Sequence, residues 1–215
     1  MSLNHGGKPI VTDGLVLCLD AANPKSYPGS GTTWTDLSGN GNHMTLTGTP
    51  SYLSSNGGVL SFNGSNQYGS LTGLNYSATT FTIIAASRYS GATRGRVISS
   101  MANNWLFGHW SNGSEEYYAE GWIFQGAPND TNWRIYAATE NHSADQRSFY
   151  VNNTARVTNS TAGSAGFNGL SVGRYVPGNS EYSTCEVSFI LVYNRILTAE
   201  ELTQNYNLLR SRYGI

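Results

Sequence analysis

Residues 185–215, CEVSFILVYNRILTAEELTQNYNLLRSRYGI, join an apolar strand to a tight turn and one short amphipathic helix, and their reading sets the fold of the whole chain. In the strand, Val187, Phe189, Leu191 and Tyr193 are expected to face one way and Ile190 and Val192 the other. A strand apolar on both faces is covered on both faces, here by an opposing sheet and by the helix that follows. Thr198 is placed to cap that helix with Glu201 three residues on, Leu197 and Leu202 to staple it, and Gly214 to end it in a left-handed conformation. Glu200 and Glu201 at its start and Arg210 and Arg212 at its end complement the helix dipole. Leu202, Tyr206, Leu209 and Tyr213 recur at helical spacing and form the stripe that meets the sheet.

Working outward, apolar segments alternate with Gly, Asn and Ser loops in the rhythm of an antiparallel sandwich. Strands are expected at 14–21, 59–64, 81–89, 96–101, 105–110, 117–126, 133–139, 148–153, 169–175 and 186–194. At 215 residues the chain suits a single all-β domain over 14–215, preceded by an N-terminal arm at 1–13. Only 12% of residues are charged and the net charge is -1, which leaves no electrostatic footprint for nucleic acid or an anionic membrane. No segment is long and apolar enough for membrane insertion, and MSLNHGGKPIVTDG lacks the apolar core of a signal peptide. Cys18 and Cys185 lie in apolar strand segments, where two buried thiols are the ordinary reading and a bridge between first and last strands the other.

Catalytic constellations are scarce. A retaining glycosidase needs two carboxylates about 5 Å apart, commonly from an E-x-D-x-E strand, and no such triplet exists here. Glu116 and Glu120, in the nearest acidic cluster with Glu115, would stand roughly 13 Å apart along one extended strand. His5, His43, His109 and His142 are dispersed without zinc-ligand spacing, and there is no G-x-S-x-G elbow. The chain therefore reads as a non-enzyme without catalytic residues.

Sugar binding draws on different residues. A shallow site stacks an aromatic ring on the sugar's C–H face and supplies hydrogen bonds to its hydroxyls. Trp105, Trp110, Tyr117, Tyr118, Trp122, Trp133 and Tyr136 crowd the middle of the chain. Read as one strand, 117–126 puts Tyr118, Glu120, Trp122 and Phe124 on one face and Tyr117, Ile123 and Gln125 on the other. The candidate ligand-binding residues are Trp110 and Tyr117 as exposed rings beside the polar stretch SNGSEE, with His109 and Glu116 as polar partners.

The ordered series GLVLCLDA, WTDLSGNGNHMTL, LSFNGSNQY, SFYVNN, GLSVGRY and VYNRILTAEELTQNY resembles a laminin-G-like domain of the concanavalin A-like lectin/glucanase superfamily, from about Gly14 to the C-terminus. The variant with DAANPKSYPGSGTTWTDLSGNGN looks most like domains of tailed-phage virion proteins. The resemblance implies an all-β, two-sheet antiparallel jelly-roll sandwich with one short C-terminal α-helix, with first and last strands adjacent and Cys18 thereby near Cys185. Many relatives by fold bind calcium, yet FNGSNQY carries Asn63 and Gln67 where the family often has aspartate. Asp20 and Asp36, with loop oxygens from Asn23, Ser38, Asn40 and Asn42, are the remaining calcium candidates and read better as turn organisers, so no cofactor or metal site is expected.

The function implied is a non-enzymatic phage virion surface module, in tail, fibre or head decoration, that binds host-surface glycan and other virion proteins. Assembly in the host cytoplasm, without a signal peptide, accords with that location. The alternatives are a purely structural capsid or tail decoration protein without sugar binding, and a polysaccharide hydrolase or lyase. A homo-oligomer is compatible with symmetric virion scaffolds, although nothing resembles a coiled-coil stalk.

Overall fold

The computed structural model describes residues 8–126 and 129–215. In chain order, β1 (Leu15–Asp20), β2 (Thr33–Trp34), β3 (Met44–Thr47), β4 (Ser51–Leu53), β5 (Val59–Asn63) and β6 (Tyr68–Asn75) come first. The long β7 (Phe81–Arg94) is followed by β8 (Ile98–Ser100), β9 (Trp105–Trp110), β10 (Gly113–Ala119) and β11 (Trp122–Gly126). β12 (Arg134–Asn141), β13 (Gln146–Val151), β14 (Thr154–Ser160), β15 (Asn168–Val172) and β16 (Ser183–Tyr193) lead to α1 (Ala199–Leu209). The strands form two antiparallel sheets, so the chain is a jelly-roll sandwich closed by one short helix. The first sheet runs β14-β13-β12-β7-β16-β5-β4 and the second β11-β10-β9-β8-β15-β6-β3-β2.

β16 is the hub of the first sheet. It has β7 along one edge, and on the other edge β5 flanks its first half and β1 its second. First and last strands are thus adjacent, as the resemblance implies. Its two faces are both covered: Cys185, Val187, Ile190 and Val192 lie between the sheets, while Phe189, Leu191 and Tyr193 pack under the helix. Val187 therefore faces opposite to the simple alternation, because a β-bulge between Val187 and Phe189 inserts Ser188 and flips the parity. Ser188 is fixed there by Ala21 N, which donates to its carbonyl (2.8 Å), and by its own Oγ, which donates to Gly58 O (2.9 Å).

The helix starts as its sequence dictates but ends earlier: α1 stops at Leu209, and Arg210–Arg212 form a separate 3-10 turn, so neither Arg210 nor Arg212 lies in its last turn and Gly214 does not end it. Thr198 Oγ1 accepts from Glu201 N (3.3 Å) and the Glu201 carboxylate accepts from Thr198 N (2.9 Å), closing the capping box. Arg195 clamps the same carboxylate and holds its pKa down at about 2. Leu202, Leu209 and Tyr213 are buried against β16, with Tyr206 packed beside them. Arg212, in that 3-10 turn, instead grips Asp20 with two hydrogen bonds (2.8 and 3.1 Å). The described part of the expected N-terminal arm, residues 8–13, lies on the domain; residues 1–7 fall outside the described residues. Ile10 and Val11 are buried, Val11 N donates to Asn205 Oδ1 (2.9 Å), and Tyr193 Oη donates to Val11 O (3.0 Å).

Adjacency of β1 and β16 does not bring the cysteines together. Cys18 stands opposite Leu191 and Cys185 opposite Phe62, six positions apart along β16, which is roughly 20 Å of strand. Cys18 also faces the helix layer and Cys185 the inter-sheet core. Burial pushes the Cys18 thiol up to about 12 and raises Cys185 as well, so neither is a nucleophile near neutrality. A thiol reagent is expected to label neither cysteine in the native protein and both after denaturation without reductant; no reactive thiol after denaturation would mean a disulfide.

Candidate functional site

Alternation along β9 decides which aromatic rings reach solvent. Trp105 and Phe107 point into the inter-sheet core and His109 follows them, enclosed between Tyr89 and Tyr136 with ring centroids 4.6 and 5.2 Å away. Leu106 and Trp110 consequently point to the outer face of the second sheet, with Gly108 between them at φ 95, where a side chain would strike the Tyr136 ring. Residues 117–126 form a hairpin and not the single strand expected, since Glu120 adopts φ 54 and Gly121 completes the turn. The turn is held by Asn104 N, which donates to Glu120 Oε1 (2.7 Å), and Glu120 N, which donates to Asn104 O (3.1 Å). It folds Trp122 back opposite Tyr118, so that half-buried Tyr118, Trp122 and Trp110 form one cluster, with centroids 5.0 and 5.3 Å apart.

A second hairpin, 174–182, closed by the Tyr175–Ser180 bridge, borders this cluster. Glu181 Oε2 accepts from Trp110 Nε1 (2.9 Å) and from Arg96 Nε (2.7 Å), so one carboxylate ties the indole to the guanidinium. Arg96 lies over the Tyr175 ring (3.9 Å) and Arg174 over the Tyr68 ring (3.5 Å). Arg174 Nη1 also donates to Asn179 Oδ1 (2.7 Å) and Tyr182 Oη (3.2 Å). The face thus offers an aromatic cluster with its edges fixed by a polar network, the combination that stacking and hydroxyl recognition require.

Of the four nominated residues, Trp110 lies on this face. Tyr117 does not: it is fully buried between the sheets against Phe149 and Trp105, because its parity on β10 is opposite to that of Tyr118. His109 is fully buried too, with Nε2 3.2 Å from Tyr136 Oη and Nδ1 3.4 Å from Ser87 Oγ. Burial lowers its pKa to about 3, so it stays neutral and serves as core. Glu116 is 6% exposed, and one of its carboxylate oxygens has no partner. Arg96, Arg174 and Glu181 carry no sequence signal that links them to Trp110.

Burial, with the neighbouring Glu115, raises the Glu116 pKa to about 7. A carboxyl whose folded pKa exceeds its unfolded one binds its proton more tightly in the native state, so its contribution to stability is lost as pH rises from about 4.5 through about 7. Glu116→Gln is expected to raise stability at pH 8 by about 1–2 kcal/mol and to change little at pH 5. Thermal melts at the two pH values check this.

The other acidic groups are committed to structure. Glu115 accepts from Arg156 Nε (2.5 Å) and Arg134 Nε (3.3 Å). Asp36 accepts from Cys18 N (2.9 Å), Ser38 N (2.9 Å) and Asn42 N (3.0 Å), which makes it a loop organiser, and Asp20 is held by Arg212. Asn63 Oδ1 accepts from Ser65 N (3.0 Å), and Gln67 Oε1 from Asn63 N (2.9 Å), within one turn. Among the described residues no three His, Cys, Asp or Glu side chains are grouped to hold a metal ion.

No protein-family model matches this sequence, and no curated protein sequence matches it. Solved structures share the fold. The binding domain of Paraclostridial Mosquitocidal Protein 1 superposes with a TM-score of 0.65 at 15% identity, over 91% of this chain and 52% of that one. The sialidase of Trypanosoma rangeli, in complex with sialic acid, gives 0.67 at 15% identity over 95% of this chain and 34% of that one. Domain 4 of AbnA, a GH43 extracellular arabinanase from Geobacillus stearothermophilus in complex with arabinotriose, gives 0.64 at 14% identity, over 91% of this chain and 98% of that domain. The chain thus spans about half of the mosquitocidal binding domain and a third of the sialidase, and this likeness shows the jelly-roll fold.

Proposed function

We propose that this chain is a non-enzymatic carbohydrate-binding module that lays a host-surface glycan across Trp110, Trp122 and Tyr118, carried on the virion of a tailed phage as part of its tail, fibre or head decoration. The observation that carries the binding reading is the half-buried aromatic cluster on the outer face of the second sheet, its Trp110 indole oriented by Glu181. That AbnA domain 4 is matched over nearly its whole length in a complex with arabinotriose supports it. The non-enzymatic reading draws support from Glu120 and Glu181, which are each engaged by donors of the protein itself, while Glu116 on β10 keeps one oxygen unpartnered. The virion reading rests on the resemblance of DAANPKSYPGSGTTWTDLSGNGN to phage domains.

A glycan array at micromolar oligosaccharide tests the first part. Binding is expected, and Trp122→Ala is expected to weaken it about 30-fold, the effect of removing an interface residue worth about 2 kcal/mol. No binding on the array, or binding indifferent to Trp122→Ala, would sink the proposal. Immunogold labelling and mass spectrometry of purified virions test the second part, and absence of the chain from any particle would overturn it.

A further inference from the structure

Buried donors without acceptors collect beside the aromatic cluster. Ile98 pairs with Val172, Gly173 N donates to Val97 O (2.8 Å), and one step further Arg96 and Arg174 leave the two adjacent strands side by side. Arg96 is 5% exposed and its Nη1 has no partner; Nε of Arg174 is also buried and unpartnered. Ser171, on the outer-facing parity between Leu170 and Val172, contributes a third unpartnered group, its Oγ. Its cross-strand neighbour Ser99 turns its own Oγ to Arg174 O (2.8 Å), which places all three in one neighbourhood. Glu181, the carboxylate of this corner, already serves Arg96 Nε and Trp110.

Native proteins rarely leave buried polar groups unpaired, and such groups are otherwise served by ordered water or a ligand. Guanidinium N–H groups donate and never accept, so what completes this corner is an acceptor, and the strongest acceptor for a guanidinium is an oxyanion. Resting on the carbohydrate-binding reading, we infer that the glycan is acidic, with a carboxylate or sulfate substituent that pairs with Arg96 and Arg174 while its ring stacks on the Trp110–Trp122 cluster. The anion meets donors that are already held over the Tyr175 and Tyr68 rings, which lowers the cost of ordering them.

The test uses two pairs of probes with one backbone each: oligogalacturonate against its methyl-esterified form, and dextran sulfate against dextran. The anionic member of at least one pair is expected to bind at least tenfold tighter, and which pair responds distinguishes carboxylate from sulfate. Arg174→Gln is expected to cost the anionic member at least tenfold more than its neutral partner and so erase that preference, whereas Trp122→Ala weakens both members by the same factor. Neutral members that bind as tightly as their anionic partners, or a preference that survives Arg174→Gln, would overturn the acidic assignment alone. Failure of every glycan on the array and in both pairs would overturn the carbohydrate reading with it. If Arg174→Gln lowers the melting temperature steeply, the wild-type pair comparison, repeated at low and high salt, decides the matter, since an ion-paired ligand loses affinity as salt screens it.

Discussion

Gly95→Ala is expected to lift the 174–182 hairpin off the second sheet, to destabilise the protein by about 1–3 kcal/mol and, on the proposed carbohydrate-binding function, to cut glycan affinity at least tenfold. The reason is a close approach of two backbones. A Cβ built on Gly95 falls on the carbonyl of Glu181, and the neighbouring Arg96 N donates to that same carbonyl (2.9 Å). Gly95 N in turn donates to Tyr182 O (3.2 Å), so neither strand can give without loss of the pair. Moving Glu181 frees Trp110 Nε1 and Arg96 Nε together, which alters both the stacking ring and the basic corner. Glu181→Gln separates the backbone clash from the side-chain contacts, because it keeps the backbone pairing at Gly95 and removes the charge that Arg96 meets. Tryptophan fluorescence, thermal melts and titration with the best array ligand check the prediction. A Gly95→Ala protein with wild-type melting and affinity would show that the hairpin does not set Trp110.

What the sequence made legible follows the range of the interactions concerned. The capping box of Thr198 and Glu201 and the stripe of α1 are written within a few residues, and both stand as expected. The strand with two covered faces was legible, but its parity was not, since the bulge at Ser188 depends on partners at Ala21 and Gly58. The turn at Glu120 hid because a non-glycine residue takes the left-handed conformation, stabilised by Asn104 from the loop before β9. With the hairpin unseen, Tyr117 and Trp110 looked alike as aromatic residues beside a polar stretch. One parity step separates the core ring from the surface ring. β14 escaped notice because it is a largely exposed edge strand without alternation, and β6 because Gly69 and Gly73 interrupt its pattern. Glu181 lies 71 residues from Trp110 and 85 from Arg96, a juxtaposition made by sheet topology alone.

Arg147→Met is expected to cost about 3–5 kcal/mol, the range for breaking a buried ion pair from one side. Arg147 is 1% exposed and Glu140 fully buried, facing each other across β13 and β12 with Arg147 Nη2 3.3 Å from Glu140 Oε1. Asp145 Oδ1 accepts from Arg147 Nη1 (2.7 Å), and Ala162 O lies 3.3 Å from the same nitrogen. Glu140 already has one oxygen without a partner, and burial pushes its pKa upward against the pull of Arg147. Without the guanidinium, that pKa rises further, so the variant loses stability most steeply as pH climbs above the ordinary carboxylate range, and the deficit narrows in acid. The double change Arg147→Met with Glu140→Leu is expected to recover most of the loss, because an apolar pair of similar volume avoids desolvating two charges. Denaturant unfolding of the single and double variants at pH 5 and pH 8 measures both claims. The pair sits beneath Tyr117, whose hydroxyl is itself buried without a partner, so this end of the sandwich is held by charge and aromatic packing together. A double variant no more stable than the single one would mean that Arg147 acts through Asp145 and the 160–164 loop, and not through Glu140.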